Sequence, residues 1–247
     1  MKNIVKTLMV FVLTAVIVFL MTMCGILIDN SANNNNNDPA HYDGSFRIDS
    51  QQVWEGTNSN KISEVYKKFE GGRGISINVY WPIGTDKFNA TRILGLGKIE
   101  KGLLSCEVPE PKAGDLMEWA DFKFEFSAWN NIACVPEAKG NYLRFVTSSD
   151  EWLNKEKMSG SSDSVWLESI WYIYVNRDCR ITGTPGEGIR PGDTFYKTTE
   201  NLNLELKRGW NTVCRKQLYQ GGLGVETDSM TVINPVDFKW TIRPKHP

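Results

Sequence analysis

The chain has 247 residues, 41 % hydrophobic and 23 % charged, with a formal net charge of −1. That balance is ordinary for a globular protein and gives no strong pull on nucleic acid or an anionic membrane. The only histidines are His41 and His246, both expected outside the rigid part of the fold, which argues against Ser-His-Asp, Cys-His and histidine-metal chemistry.

Lys2 and Lys6 precede an apolar run from Leu8 to Leu20, followed by Met21-Thr22-Met23-Cys24-Gly25. A basic start and a short apolar core are the layout of an export signal. No A-x-A-like cleavage site follows, and a cysteine stands where cleavage would fall. In this segment the chain resembles a bacterial lipoprotein, whose lipobox places small residues before an acylated cysteine. Thr22 and Gly25 fit that pattern, while Met21 and Met23 depart from it. The resemblance covers residues 1–24 alone. It implies a signal peptide over 1–23, palmitate-type acylation of Cys24, and a place in the bacterial cell envelope, periplasmic or surface-exposed. Two other readings suit the same residues. The uncharged 21-residue stretch Leu8 to Ile28 is long enough for an uncleaved membrane helix, with Lys2 and Lys6 on its cytoplasmic side. Simple secretion is the third.

Asp29-Asn30-Ser31-Ala32, the five asparagines Asn33 to Asn37 and Asp38-Pro39 come next. Asparagine repeats bury no apolar surface and cannot offset the entropy of ordering. Residues 24–41 therefore read as a lipid-anchored disordered tether, in which residues 29–41 form a loose coil with a reach of about 20 Å. Residues 42–247 read as a single β-rich domain.

The pattern of Ile62, Val65, Tyr66 and Phe69 predicts a helix near 61–69, ended by Gly71-Gly72. Gly74 to Trp81 alternates Ile75, Ile77 and Val79 and predicts a strand ended by Pro82. Lys98 to Val108 predicts a hairpin turning at Glu100-Lys101-Gly102. Asp121 to Phe126 alternates phenylalanine with charge and predicts a half-buried strand. Asn141 to Thr147 predicts another. Ser148 and Glu151 form a capping-box pattern that predicts a short helix over 149–157. Strands follow over Ser164–Thr182, Asn201–Leu206, Trp210–Leu218, Met230–Ile233 and Phe238–Ile242. Many strands separated by turn signals predict a mainly β fold, an antiparallel β-sandwich with one or two short helices. A closed β-barrel is the alternative.

With Cys24 acylated, Cys106, Cys134, Cys179 and Cys214 remain, enough for two disulfides in three pairings. Buried thiols are the simpler reading, because Cys106 and Cys179 fall on apolar strand faces and a domain this long does not need staples. No spacing matches a zinc or redox motif, no calcium loop is present, and no cofactor or metal is implied. Gly71-Gly72-Arg73-Gly74 and Gly95-Leu96-Gly97-Lys98 read as turn punctuation, since no helix follows them to meet a phosphate. Glu118, Asp121 and Glu125 near Trp119, and Glu168 near Trp166 and Trp171, allow a two-carboxylate glycosidase. They also resemble any acidic solvent face.

Trp171-Tyr172-Ile173-Tyr174-Val175 is apolar on both faces. It reads as a central strand covered on both sides, or as one offering Tyr172 and Tyr174 as stacking rings. The turn-rich segment Gly183 to Asp193 offers Glu187, Arg190 and Asp193 as polar contacts. The expectation is a membrane-tethered binding or interaction module with an unknown protein or carbohydrate ligand. Its alternatives are a histidine-free carbohydrate-active enzyme using paired carboxylates, and a barrel that carries an apolar ligand.

Overall fold

The computed structural model describes residues 40–56, 66–80, 91–126, 128–161, 164–190, 194–198, 200–220 and 224–244. In chain order the strands are β1 (His41–Tyr42), β2 (Phe46–Glu55), β3 (Lys67–Lys68), β4 (Arg73–Tyr80), β5 (Thr91–Glu100) and β6 (Leu103–Val108). A helical stretch follows, with α1 (Trp119–Phe122) running into a 3-10 turn over Lys123–Phe126. Then come β7 (Trp129–Val135), β8 (Gly140–Thr147), β9 (Glu151–Ser161), β10 (Ser164–Val175), β11 (Cys179–Pro185) and β12 (Glu187–Arg190). The last are β13 (Thr194–Lys197), β14 (Leu202–Leu206), β15 (Gly209–Gln220), β16 (Gly224–Val232) and β17 (Lys239–Pro244).

The fold is mainly β, and its body is a closed eight-stranded barrel, the alternative reading, rather than the sandwich expected first. Around the wall, β8, β4, β5, β6, β2, β17 and β9 pair in that order, and β10 completes the ring by pairing with both β9 and β8. All these pairs are antiparallel except β2 with β17. Two-residue alternation puts every second side chain inside. Ile75, Ile77 and Val79 of β4 and Leu104, Cys106 and Val108 of β6 therefore share one buried cluster with Phe145, Tyr172, Trp240 and Ile242. Closure removes the exposed strand edges that an open sheet of this size would present.

The other edge of β10 carries β15 along its whole length, and the sheet continues outward through β16, β13 and β12. A separate three-stranded sheet, β14-β11-β7, lies over this extension. Ile173 and Val175 of β10, Val213 of β15 and Met230 of β16 form a second buried cluster with Leu202, Leu204, Leu206 and Ile181. Thus β10 has a core on each face, which explains its doubly apolar sequence.

Three local expectations are corrected. Asp121–Phe126 is helical, not a strand. Trp119, Phe122 and Phe126 satisfy helical spacing as well as Phe122, Phe124 and Phe126 satisfy alternation, and the rings of Trp119, Phe122 and Phe126 pack together at 5.8–5.9 Å. Residues 151–157 belong to β9, not a helix. Ser148 does not cap it; instead the Thr147 hydroxyl accepts the Ser149 and Glu151 N–H groups and closes the β8–β9 turn. Of the helix expected over 61–69, residues 61–65 lie outside the described residues, and Lys67–Lys68 pairs as a strand with Trp54 and Glu55.

Candidate ligand cleft in the barrel wall

The β8–β9 hairpin pairs with itself only at Phe145↔Leu153 and Val146↔Trp152. Below that stem its two arms part and both lie against the same edge of β10. Ser161 to Lys155 pair with Ser164 to Ile170, and Gly140 to Tyr142 pair with Val175 to Ile173. Between the two ladders, Leu143 and Arg144, Asn154, and Trp171 and Tyr172 are not registered across the junction. A cleft of about 140 Å³ occupies this three-way gap. Its lining draws on both faces of the strands, so it lies in the wall and not in the lumen.

Rings make its walls. Tyr142, Trp152, Trp171, Tyr172 and Trp240 all line it, over an apolar floor that includes Phe145, Leu153 and Ile170. Its polar groups are the Asn154 amide and two cations, Arg144 and Lys155. The Arg144 guanidinium lies 5.0 Å from the Trp152 ring and 5.8 Å from the Tyr142 ring. Burial lowers its pKa to about 10, so it remains a cation at neutral pH. Lys155 is 1 % exposed, with Nζ 5.8 Å from the Trp240 ring. Both contacts are of cation–π type.

The stack continues along the outer face. Tyr142 lies parallel to Trp171 at 5.5 Å, and Arg215 caps Trp171 at 5.2 Å. Asp228 on the next strand fixes Arg215, accepting Nε at 2.9 and 3.0 Å and Nη2 as well. Gln217 adds a bond to Asp228 at 3.2 Å. This cross-strand ladder of rings and cations sets the cleft wall rigidly on the sheet. Trp152 is 38 % exposed, which gives the stack an open end.

The residues proposed from sequence scatter. Tyr172 reaches the cleft from the barrel interior, buried against Phe46 at 5.1 Å. Tyr174 is buried as well. Its hydroxyl donates to Glu110 at 2.6 Å, and burial with that carboxylate pushes its pKa up to about 12. Neither tyrosine forms an exposed platform, because β10 is covered on both faces. Glu187 pairs with Lys197 at 3.0 Å on the solvent side of the β12–β13 ribbon, four strands from β10. Arg190 ends β12. Asp193 and Cys24 lie outside the described residues. His41 is held more firmly than expected: β1 pairs with β15, and its Nε2–H donates to the Arg208 carbonyl at 2.6 Å. His246 lies outside the described residues.

Of the carboxylates proposed for a two-acid site, Glu118 forms an exposed ion pair with Lys139, and Glu168 pairs with Lys216 at 3.5 Å. Among the described residues, no carboxylate lines the cleft. Among the described residues, no three His, Cys, Asp or Glu side chains cluster as metal ligands, and no helix is long and apolar enough to cross a membrane.

Sequence reasoning missed Arg144, Trp152 and Lys155. Trp152 was placed on a helix. The signal available was alternation: Trp152 and Asn154 on one face, Leu153 and Lys155 on the other. No family model, curated protein or solved structure matches this chain.

Proposed function

We propose that this protein is a binding module of the bacterial envelope, moored by acylated Cys24 and a polar leash, which recognises the end of a larger ligand in the wall cleft. One observation carries the binding reading: six aromatic rings, two cations and an amide converge on the cleft, and among the described residues no acid does. Such a surface can hold a ring by stacking and by hydrogen bonds, but it lacks the paired carboxylates that cleavage would need. The size sets the ligand portion. A cavity of about 150 Å³ accommodates benzene, so 140 Å³ admits one six-membered ring. A terminal sugar fits this chemistry, with an apolar ring face for the tryptophans and hydroxyls for Asn154 and Arg144. The same volume is less than half of the roughly 300 Å³ expected of a small-molecule pocket, which argues against a carrier of whole apolar ligands.

The test is tryptophan fluorescence of the purified protein, titrated with oligosaccharides from the bacterial cell wall and, separately, with aromatic dipeptides. Saturable quenching by a saccharide, weakened about 30-fold or more in Trp152→Ala, supports the reading. Quenching by dipeptides alone transfers the site to a protein partner, and no saturable response rejects it. The mooring is tested by acyl labelling and intact mass, both of which should change in Cys24→Ala.

A further inference from the structure

Cys134 lies on β7, the edge strand of the three-stranded sheet, and Cys179 opens the neighbouring β11. The register sets Cys134 opposite Ile181 and Val135 opposite Arg180. The two cysteines are therefore diagonal neighbours on one face of an antiparallel pair. That face is the buried one: Cys134, Cys179 and Ile181 join the second core, while Val135 and Arg180 point to solvent. The two thiols lie near enough to shift each other's ionisation, and the Cys134 thiol donates to the Pro136 carbonyl at 3.4 Å. Among the described residues, Cys106 and Cys214 have no cysteine neighbour. Each is a lone buried thiol in the barrel core.

We propose that Cys134 and Cys179 form a reversible intramolecular disulfide that fastens edge strand β7 to β11. The oxidant is an external disulfide, either a dithiol oxidase or oxidised glutathione. Cys134 loses its proton and its thiolate attacks one oxidant sulfur, forming a mixed disulfide and expelling a thiolate. Cys179 then loses its proton and attacks the Cys134 sulfur, expelling the second thiolate. Two protein thiols become one disulfide, and the oxidant is reduced to two thiols. The roles follow from that proximity, because the neighbouring Cys179 thiol stabilises a Cys134 thiolate and brings its pKa down to about 7. The same proximity and burial push the Cys179 thiol up, so it enters second. β7 supplies the access, since only one of its edges is paired in the sheet.

The test uses full-length protein, oxidised with glutathione disulfide both when folded and while refolding from denaturant, so that slow access cannot conceal the reaction. The protein is then denatured, alkylated and peptide-mapped with and without reductant. The expected result is the loss of two alkylatable thiols, mapped to Cys134 and Cys179 and restored by reductant. Cys106→Val should keep that loss, and Cys134→Ser should leave Cys179 without its intramolecular partner. Four alkylated core thiols after both treatments, or a bond that includes Cys106 or Cys214, overturns the proposal. Because the oxidant is added to purified protein, the outcome is independent of the envelope location and of the cleft.

Discussion

At the residue scale, the cleft depends on charges buried among rings. Arg215 and Asp228 are 6 % and 0 % exposed in their side chains. Removing one partner leaves the other charge buried, at a cost of about 3–5 kcal/mol. Asp228→Ala should therefore lower the urea midpoint strongly, whereas Arg215→Leu combined with Asp228→Leu should recover much of the loss. If both variants are equally unstable, the pair contributes through packing and not through charge. The lone thiols make a separate prediction. Burial pushes Cys106 and Cys214 from 9.0 up to about 12. In the unfolded chain these thiols ionise near pH 9 while in the fold they stay protonated, so the unfolded state gains as pH rises. Stability should fall between about pH 9 and 12, by about 1.4 kcal/mol per pH unit for each thiol. Cys106→Val should remove one thiol's share of that slope. An unchanged slope would contradict the burial assigned to Cys106.

At the element scale, turns were easier to read than the segments between them. The Glu100-Lys101-Gly102 signal marks the β5–β6 hairpin, and Lys101 and Gly102 both have positive φ, 50° and 77°. A Cβ on Gly102 would lie 1.8 Å from the Phe69 carbonyl oxygen. Gly102→Ala should therefore cost about 3 kcal/mol or more, combining backbone strain with the clash. A thermal midpoint within a degree of wild type would show that the turn can relax. Segments 121–126 and 151–157 differ from their sequence reading for two reasons: the short apolar pattern of the first fits both periods, the Ser148–Glu151 spacing of the second mimics a capping box, and tertiary packing decides both. β7 and β2 carry weak alternation and were not legible at all. A staple between β7 and β11 closes a loop of roughly 45 residues, and chain entropy assigns it about 4 kcal/mol. Oxidised protein should melt well above the reduced form, and Cys134→Ser should abolish the difference.

At the scale of the whole molecule, the β content was legible but the closure was not. Closure requires β2 to meet β17, residues nearly two hundred positions apart in sequence, and no local pattern encodes that partnership. The doubly apolar Trp171–Val175 segment did show a central strand, and its central place explains why Tyr172 and Tyr174 are core residues. The cleft was invisible for a related reason. It exists because β8 and β9 part where β10 runs beneath them, and it gathers side chains from segments that look unrelated in sequence. Arg144 and Lys155 read as ordinary solvated charges until the wall closes around them.

The most direct measurement is amide hydrogen exchange of the protein with and without a saturating cell-wall oligosaccharide. Protection confined to residues 142–144, 152–155 and 170–172, and absent in Trp152→Ala, is the predicted result. Protection centred on Glu187–Lys197, or on no segment at all, would contradict a ligand site in the barrel wall.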